Sequence, residues 1–469
     1  MRSKKAVLIA SFLCVWTIIT YILFMRQTFE VDSKHKHMEN KLNYLEAGIQ
    51  EEAEQHDILL HQFVSVVKSR AEFQMTSSTT TSTQNAEKND RERLNGVKEI
   101  SLVDNSIPNP NRHNLSLIQK HGNGEFKGPV IPVLVFACNR VSVKNCLENL
   151  VDYRPNAEQF PIIVSQDCND EPTRNVILSF KEVFLISQPD QTDILVPPKE
   201  KKFKGYYKIS RHYGWALNTV FSEGFDYVII VEDDLNVSPD FYEYFLGTHE
   251  LLKNDSSLWC VSAWNDNGKV GNIDENASSL LYRSDFFPGL GWMLTKELWT
   301  ELSVKWPKAF WDDWIRQPQQ RKDRVCIRPE ISRTRTFGKV GVSNGMFFEK
   351  HLKFIKLSEV FVPFTEMDLS YLLKQNYDKT FLSKVYSYPV VTFEELRRGN
   401  VVTKGEPVRI QYNTKDQYKR TAKLLGLMDD FKSGVPRTGY HGIISFFYND
   451  QRVYLAPNSN WKGYDLSWS

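Results

Sequence analysis

The sequence predicts an α/β protein whose main domain is built around a doubly wound sheet. Apolar, β-branched segments of strand length recur between residues 130 and 235, and amphipathic segments of helix length separate them. The turn after the first strand lacks a Gly-x-Gly-x-x-Gly motif, and no Gly-Lys-Ser/Thr motif occurs in the chain. These absences argue against a dinucleotide dehydrogenase and against a P-loop protein.

The predicted elements alternate along the chain, as expected for strands joined by crossover helices. The strands are predicted at 130–137, 160–164, 183–186 and 227–231, and the helices at 141–151, 173–182 and 206–221. Strands connected in this way run parallel, and ligands bind beyond their carboxyl ends.

Three consecutive carboxylates, Glu232, Asp233 and Asp234, follow the last of these strands. Burying adjacent acids without partners is costly, so we expect a cation or a hydrogen-bonded ligand beside them. Carboxylate oxygens suit Mg²⁺ or Mn²⁺ bridging to phosphates. The strand therefore indicates a nucleotide diphosphate site, and the alternative is a solvated acidic turn.

The N-terminus predicts a membrane anchor. Residues 6–25 form an almost uninterrupted apolar run, long enough to span a bilayer. Arg2, Lys4 and Lys5 precede it and place residues 1–5 in the cytoplasm. A cleaved signal peptide is the alternative, but its apolar region is normally shorter and no small-x-small cleavage site follows. We therefore expect an uncleaved, single-pass type II anchor with the rest of the chain in a lumen.

Residues 26–128 are predicted to form a stem. Apolar residues in an interrupted heptad pattern favour either a self-associating helix or a lone one, and a Ser/Thr-rich tether follows. The globular part begins near residue 129. The charges of the whole chain nearly balance, with 59 basic and 57 acidic residues, so nothing indicates nucleic-acid binding.

Five cysteines follow the predicted anchor, in a compartment that favours oxidation. Two disulfides and one free thiol are plausible from this number, but spacing alone assigns no pairs.

Further candidate site residues follow the first two strands or lie in the third helix. Arg140 could contact a base or phosphate, and Asp167 could accept hydrogen bonds from a base or ribose. His212 is a candidate contact in the helix, although an isolated histidine is more often structural. Residues 286–292 form a glycine-containing aromatic loop suited to a sugar face, or a turn into a helix that begins near Thr295.

Asp312 and Asp313 lie between Trp311 and Trp314. Neighbouring apolar rings raise the basicity of a carboxylate, so one of the two acids is a candidate general base. A helix N-cap acid with structural tryptophans is the alternative for the other.

The pattern loosens after residue 350, where we predict a smaller α+β domain over 351–469. Strands are expected at 408–412 and 442–447, with a helix at 415–427 between them.

Four segments together resemble the N-acetylglucosaminyltransferase I family, and the likeness extends from about residue 130 to the end. They are 264–268 (Trp-Asn-Asp-Asn-Gly), 281–292 (Leu-Tyr-Arg-Ser-Asp-Phe-Phe-Pro-Gly-Leu-Gly-Trp), 305–314 (Lys-Trp-Pro-Lys-Ala-Phe-Trp-Asp-Asp-Trp) and 328–333 (Arg-Pro-Glu-Ile-Ser-Arg). The resemblance implies a GT-A fold over 129–350 and an inverting, Mn²⁺-dependent glycosyltransferase. The donor would be UDP-GlcNAc. The product would be a β-1,2 bond to the α-1,3-linked mannose of the Man₅GlcNAc₂ N-glycan on glycoproteins, which starts hybrid and complex N-glycan synthesis.

The resemblance also assigns roles to residues of this chain. Asp234 would ligate Mn²⁺, Asp233 would face the ribose and Glu232 the donor sugar. The positions that contact uridine in the family are Arg140, Asp167, Ile209 and His212.

Val342 and Ser343 lie in a segment that resembles the family's mobile loop over the diphosphate. Asp312 occupies the position of the catalytic base, and Asp313 is the alternative. The resemblance implies the disulfides Cys138–Cys168 and Cys260–Cys326, with Cys146 free.

The family further implies residence in the Golgi membrane with the catalytic domain in the lumen. Self-association or contact with other Golgi enzymes through the stem would fit this setting. The alternatives are a protein-O-mannose β-1,2-GlcNAc-transferase, which would carry a further sugar-binding module in its stem, and a non-catalytic lectin or scaffold with the same fold.

Overall fold

The computed structural model describes residues 114–118, 126–339, 341, 345, 347–399 and 405–469. These residues all belong to one compact unit that spans 103–469. The predicted tail, the predicted membrane anchor and nearly all of the predicted stem lie outside the described residues. Within the described ranges, no helix is long and apolar enough to cross a membrane.

The strands of the described chain form one large sheet and three small ones. They are β1 (Val133–Ala137), β2 (Ile162–Gln166), β3 (Val183–Ser187), β4 (Tyr227–Glu232), β5 (Leu235–Val237), β6 (Leu258–Ser262), β7 (Leu281–Ser284), β8 (Trp292–Thr295), β9 (Val325–Pro329), β10 (Thr334–Thr336), β11 (Val408–Tyr412), β12 (Phe431–Lys432), β13 (Val435–Pro436), β14 (Ile444–Tyr448) and β15 (Gln451–Pro457).

The α-helices include the three predicted between the first four strands. They are α1 (Val143–Asp152), α2 (Glu171–Ser179), α3 (Lys204–Ser222), α4 (Phe241–Asn254), α5 (Lys296–Ser303), α6 (Trp311–Ile315), α7 (Pro318–Arg321), α8 (Lys374–Ser387), α9 (Phe393–Arg398) and α10 (Lys415–Leu424). Short 3₁₀ helices cover Leu115–Leu117, Pro198–Phe203, Leu352–Phe354, Phe364–Glu366, Ser370–Leu372 and Leu466–Trp468.

The large sheet has the order β3-β2-β1-β4-β8-β6-β9-β7. Its first four strands pair in parallel, which confirms the predicted α/β class with a parallel-rich sheet. β1 and β4 are in register such that Phe136 lies opposite Glu232. The carboxyl ends of these strands therefore meet at one edge, where the candidate residues follow.

Both faces of this sheet are buried, as parallel strands require. Val133, Val135 and Ala137 of β1 pack in one hydrophobic cluster with α1 and α4. Leu134 and Phe136 pack on the other face, in a cluster with α3 and α5. The alternation along β1 thus fixes which helices cover each face.

Two predicted boundaries shift for local reasons. β1 begins at residue 133 instead of 130, because Pro132 has no N–H to donate to a ladder. α2 covers 171–179 instead of 173–182. Asp170 caps it by accepting a hydrogen bond from the Thr173 N–H at 3.0 Å, and Pro172 lies in its first turn, where proline is favoured.

Two disulfides stabilise the sheet, and they are the pairs that the resemblance implies. Cys138–Cys168 joins the ends of β1 and β2. Cys260–Cys326 joins the paired strands β6 and β9. Cys146 is free and buried in α1.

The C-terminal residues form a sheet of order β11-β15-β14, which packs with α10 in a separate hydrophobic cluster. The strands and helix predicted there are confirmed at 408–412, 444–448 and 415–424. Polar contacts fasten this region to the segment after β6. The Asn267 side chain accepts from the Met428 N–H at 2.9 Å, and Asp266 pairs with Arg437 at 2.8 Å. The boundary at residue 350 stays a prediction.

Candidate active site

The three consecutive acids lie where β4 leaves the sheet. Glu232 is the last residue of β4, and Asp233 and Asp234 form the turn into β5. The Asp233 N–H donates to the Phe136 carbonyl at 3.1 Å, which extends the β1–β4 ladder by one bond. The side chains of Asp233 and Asp234 are only 13% and 16% exposed. The acidic turn is therefore largely buried, which contradicts the alternative of a solvated turn.

Burial makes the charges of this turn costly. Desolvation raises the pKa of Glu232 to about 7, and the neighbouring Asp234 adds to this effect. Desolvation also raises the pKa of Asp233 to about 6, although Arg140 opposes it. Tyr213 donates a hydrogen bond to Glu232 Oε1 at 3.1 Å, which favours the ionised form. A further positive charge beside the turn would lower these pKa values, so the turn is suited to a cation.

Arg140, which follows β1, supplies one such charge. Its Nη1 lies 3.2 Å from Asp233 Oδ1 and also binds Asp234 Oδ2. Burial lowers the pKa of Arg140, but attraction to Asp233 and Asp234 raises it above its ordinary value. The guanidinium is thus held at the acids, at the same edge of the sheet.

Gly338 closes the turn from the other side. A Cβ atom at this position would lie 1.9 Å from Asp234 Oδ2, so only glycine allows this approach. The Phe337 N–H donates to the Asp234 carbonyl at 2.9 Å and anchors the segment. Val342 and Ser343, the predicted residues over the diphosphate, lie outside the described residues.

Asp167 and His212 form a second buried group beside the first. Asp167 follows β2, and its Oδ1 accepts from Gln191 Nε2 at 2.9 Å. His212 Nε2 lies 2.8 Å from the Ser165 hydroxyl. Burial lowers the pKa of His212 to about 4, although Asp167 opposes this. The imidazole is therefore neutral at physiological pH.

A cleft of about 190 Å³ connects the end of β4 with α6. Glu232 and Asp312 both line this cleft, together with Ile209 of α3. Its remaining lining residues are Tyr206, Phe287, Pro288, Gly289, Leu290, Phe310, Trp311 and Arg316. The structure thus brings an acid of the strand and the predicted base into one cleft, which aromatic rings also line.

α6 carries Asp312 into this cleft from a strained turn. Phe310 precedes the helix with a φ of 53°, a left-handed conformation that a bulky residue rarely adopts. Its ring stacks on Tyr206 at 4.7 Å and meets Phe203 edge-on at 5.4 Å. Such backbone strain costs on the order of 1–3 kcal/mol and persists where packing enforces it. The ring contacts supply that packing and so set the direction of α6.

An aromatic stack supports α6 from below. Trp311 stacks on Tyr213 at 4.6 Å, and Tyr213 stacks on Phe136 at 3.7 Å. Because Phe136 belongs to β1, the stack couples the position of Asp312 to the sheet that carries the acidic turn.

The two aspartates of α6 have different partners. Asp312 Oδ2 accepts from Arg316 Nη1 at 2.8 Å, and 44% of its side chain stays exposed. Asp313 contacts Arg316 at 3.3 Å and also Lys432 of β12 at 2.9 Å. Asp312 lines the cleft and contacts one cation, Arg316, whereas Asp313 contacts both Arg316 and Lys432.

Two expectations for these aspartates were wrong. The tryptophans do not raise the basicity of Asp312: burial raises its pKa, but the charge and hydrogen bond of Arg316 outweigh burial and lower it below its ordinary value. Neither acid caps the helix, since Phe310 occupies the N-cap position. Asp312 is consequently ionised at neutral pH.

Several residues that shape the site were missed from the sequence. Arg316 follows Asp312 by four residues, the spacing of neighbours on one helix face, and this signal could have identified it. Lys432 lies 119 residues from Asp313, and nothing local marks such a partner. Among the described residues, no group of three or more His, Cys, Asp or Glu side chains is arranged to hold a metal ion.

The buried His212 predicts a pH dependence of stability. In the unfolded chain its imidazole gains a proton below about pH 6.5, whereas in the folded protein it stays neutral down to about pH 4. The unfolded state therefore binds more protons in this window, and the free energy of unfolding falls as the pH decreases through it. We expect His212→Gln to flatten this fall in urea unfolding, and the His212 ring resonances to titrate near pH 4 by NMR. A ring that titrates near pH 6.5 would contradict the burial argument.

Known proteins were compared with this chain at the level of structure and of sequence. A mannosyltransferase from Pyrobaculum calidifontis, solved with GDP-Man and Mn²⁺, is 16% identical with a TM-score of 0.27, and the match covers 39% of this chain and 48% of that one. TarS from S. aureus is 10% identical with a TM-score of 0.29, over 42% of this chain and 58% of the other. These TM-scores are too low to support an inference.

The sequence matches are far stronger. A relative from Arabidopsis thaliana, named alpha-1,3-mannosyl-glycoprotein 2-beta-N-acetylglucosaminyltransferase, is 39% identical over 338 residues, which are 71% of this chain and 75% of the relative. The model of the GNT-I family matches residues 15–468. The chain therefore belongs to the GNT-I family.

Proposed function

We propose that this protein is an inverting glycosyltransferase that moves GlcNAc from UDP-GlcNAc to the α-1,3-linked mannose of the Man₅GlcNAc₂ N-glycan. The new bond is β-1,2, and the product starts hybrid and complex N-glycans. Family membership and the name of the Arabidopsis relative support the reaction. The observation that carries the proposal is the single cleft lined by both Glu232 and Asp312.

The donor would bind across the carboxyl ends of β1, β2 and β4, as in a GT-A fold. Asp233 would face the ribose and Glu232 the GlcNAc. Uridine would lie near Asp167, Ile209 and His212. A neutral His212 can accept or donate one hydrogen bond without adding charge. Arg140 would remain near the acids and the diphosphate.

The acidic turn also fits a divalent cation such as Mn²⁺, held by Asp234. Cations of this type commonly use one or two carboxylates together with substrate phosphates and water, so a cage of three protein ligands is not required. The raised pKa values of Glu232 and Asp233 fit the same conclusion, because these acids lack sufficient positive charge. When bound, the cation would stabilise the negative charge of the departing UDP as a Lewis acid.

Asp312 would act on the acceptor. The mannose 2-hydroxyl attacks the anomeric carbon of GlcNAc, the bond from that carbon to UDP breaks, and the hydroxyl proton passes to Asp312. A single displacement of this kind inverts the anomeric centre and needs no enzyme nucleophile. Arg316 keeps Asp312 ionised and oriented by its hydrogen bond at 2.8 Å. The aromatic rings of Tyr206, Phe287 and Phe310 would offer apolar surface to sugar C–H groups.

The sequence supports a Golgi setting for this reaction. A type II anchor at residues 6–25 and a stem would hold the catalytic part in the lumen, where glycoprotein acceptors pass. The two disulfides fit an oxidising compartment.

The paired aspartates give the sharpest test of the base. Full-length protein in detergent would be incubated with UDP-GlcNAc, Mn²⁺ and Man₅GlcNAc₂, and mass spectrometry would measure addition of one HexNAc. We expect Asp312→Asn to lower kcat by roughly 10²- to 10⁴-fold, the usual contribution of a general base. Asp313→Asn is the matched control and should cost less than about tenfold, since it removes only the Lys432 contact and one Arg316 contact.

The reverse order of effects would assign the base to Asp313. Transfer to an O-mannosyl peptide but not to Man₅GlcNAc₂ would favour the O-mannose enzyme instead. No transfer by a folded, UDP-binding protein would favour a lectin or scaffold.

Metal removal tests the role of Asp234. We expect EDTA to abolish transfer and Mn²⁺ to restore it, whereas Asp234→Ala should stay inactive at saturating Mn²⁺, because the ligand itself is missing. Equilibrium dialysis should show UDP-dependent Mn²⁺ binding that Asp234→Ala loses. Asp152→Ala, which changes an exposed acid at the end of α1, is the control and should bind Mn²⁺ normally. Full activity in EDTA would contradict the metal proposal.

A further inference from the structure

A second cavity, of about 140 Å³, lies in the C-terminal region. The last residues of the chain form one wall, and strands β11 and β12 contribute the other. Its lining includes the side chains of Tyr412, Phe431, Asn458, Trp461, Tyr464 and Trp468. Neither the proposed donor site nor the proposed base uses these residues.

Close packing and hydrogen bonds fix the position of the C-terminal residues that form this wall. Gly434 has a φ of 77°, and a Cβ there would lie 2.5 Å from the Asp465 carbonyl. The Gly434 N–H donates to the Ser469 hydroxyl at 2.8 Å, and Lys415 Nζ donates to the Ser467 carbonyl at 3.1 Å. The cavity is therefore a fixed feature of the fold and not a gap beneath a loose terminus.

The chemistry of the lining favours a neutral, polyhydroxylated ring. Trp461 and Trp468 are only half-buried although both are large aromatics, and the electron-rich face of such a ring attracts the C–H surface of a sugar. Asn458 and Asn413 add amide groups, linked to each other at 3.1 Å. Pockets with apolar walls and a few fixed polar groups are the usual form of small-ligand sites.

The charges of the lining residues and the size of the cavity further restrict the class of ligand. The residues that line the cavity include no Lys or Arg and one acid, Asp465, so a nucleotide or another phosphate lacks the cationic partners it needs. The volume of about 140 Å³ is well below the roughly 300–1,000 Å³ of sites for drug-sized ligands. The cavity suits one sugar ring and not a whole oligosaccharide.

Contacts between neighbouring residues relate the cavity to the catalytic cleft. Phe431 lines the cavity, and the next residue of β12, Lys432, pairs with Asp313 at 2.9 Å. Tyr464 lines the cavity and donates to Asp285 Oδ2 at 2.6 Å. Asp285 precedes by two residues Phe287, which lines the catalytic cleft. Short chains of contacts thus link the two cavities, which share no lining residue.

We propose that this cavity is a second saccharide site that holds one neutral pyranose ring of the acceptor oligosaccharide, outside the trimannosyl part that contains the reacting mannose. The proposal that the ring belongs to the acceptor rests on the proposed function. The saccharide site itself does not depend on the proposed function, because it is inferred only from the residues that line the cavity.

The test compares Trp461→Ala and Asn458→Ala with Leu424→Ala, an exposed apolar control in the same region. Binding of free Man₅GlcNAc₂ to the full-length protein, without donor, would be measured by saturation-transfer NMR and calorimetry. KM and kcat would be measured for Man₅GlcNAc₂ and for a trimannosyl fragment that retains the reacting mannose. We expect Trp461→Ala to weaken Man₅GlcNAc₂ binding and raise its KM by roughly three- to tenfold. KM for the fragment, and kcat for both acceptors, should not change.

The outcomes separate the sources of the sugar. Weaker binding with a selective rise in KM assigns the ring to the acceptor. Weaker binding with unchanged KM values keeps the saccharide site and assigns the ring to another glycan. Binding that neither variant weakens overturns the proposal, as does an equal change for both acceptors. If no transfer occurs at all, the binding measurement still reports on this cavity, so its failure is distinguishable from failure of the proposed function.

Discussion

The rest of the site depends on the burial of three consecutive carboxylates at the end of β4. Their position is fixed by the β1–β4 pairing and by the bond from the Asp233 N–H to Phe136. Their charge must then be balanced locally. Arg140 contacts two of them, and Tyr213 donates to Glu232. The pKa values of Glu232 and Asp233 stay raised even so, so a further positive charge beside this turn would stabilise the ionised acids.

The second half of the site depends on packing and not on the sheet edge alone. α6 starts from a strained Phe310, and Trp311 stacks through Tyr213 onto β1. Arg316 then sets the charge of Asp312. The acid of the strand and the acid of the helix consequently line one cleft while their environments shift their pKa values in opposite directions. Burial pushes Glu232 toward the neutral form and Arg316 holds Asp312 in the ionised form, so Asp312 carries the negative charge that a proton acceptor needs at neutral pH.

The sequence was sufficient for the parts of the fold that follow local rules. The strands at 133–137 and 227–232 are apolar and β-branched, and both are confirmed with small shifts. The antiparallel strands β7 and β9 were missed because buried Arg283 and Arg328 interrupt their apolar pattern. The acidic turn was recognisable because its residues are adjacent. The partners of the aspartates in α6 were harder to predict, because Lys432 lies in β12, far along the chain from Asp313. The pKa of Asp312 could not be predicted either, because burial and Arg316 shift it in opposite directions and the result depends on the three-dimensional arrangement.

The central claim is a single displacement with Asp312 on the acceptor side of one cleft. Proton NMR of the product formed from UDP-GlcNAc and Man₅GlcNAc₂ tests it most directly, because the anomeric coupling of the new GlcNAc reports its configuration. We expect a β-linked GlcNAc on O2 of the α-1,3-linked mannose. An α-linked product would contradict this mechanism, because retention of the anomeric configuration is incompatible with a single displacement.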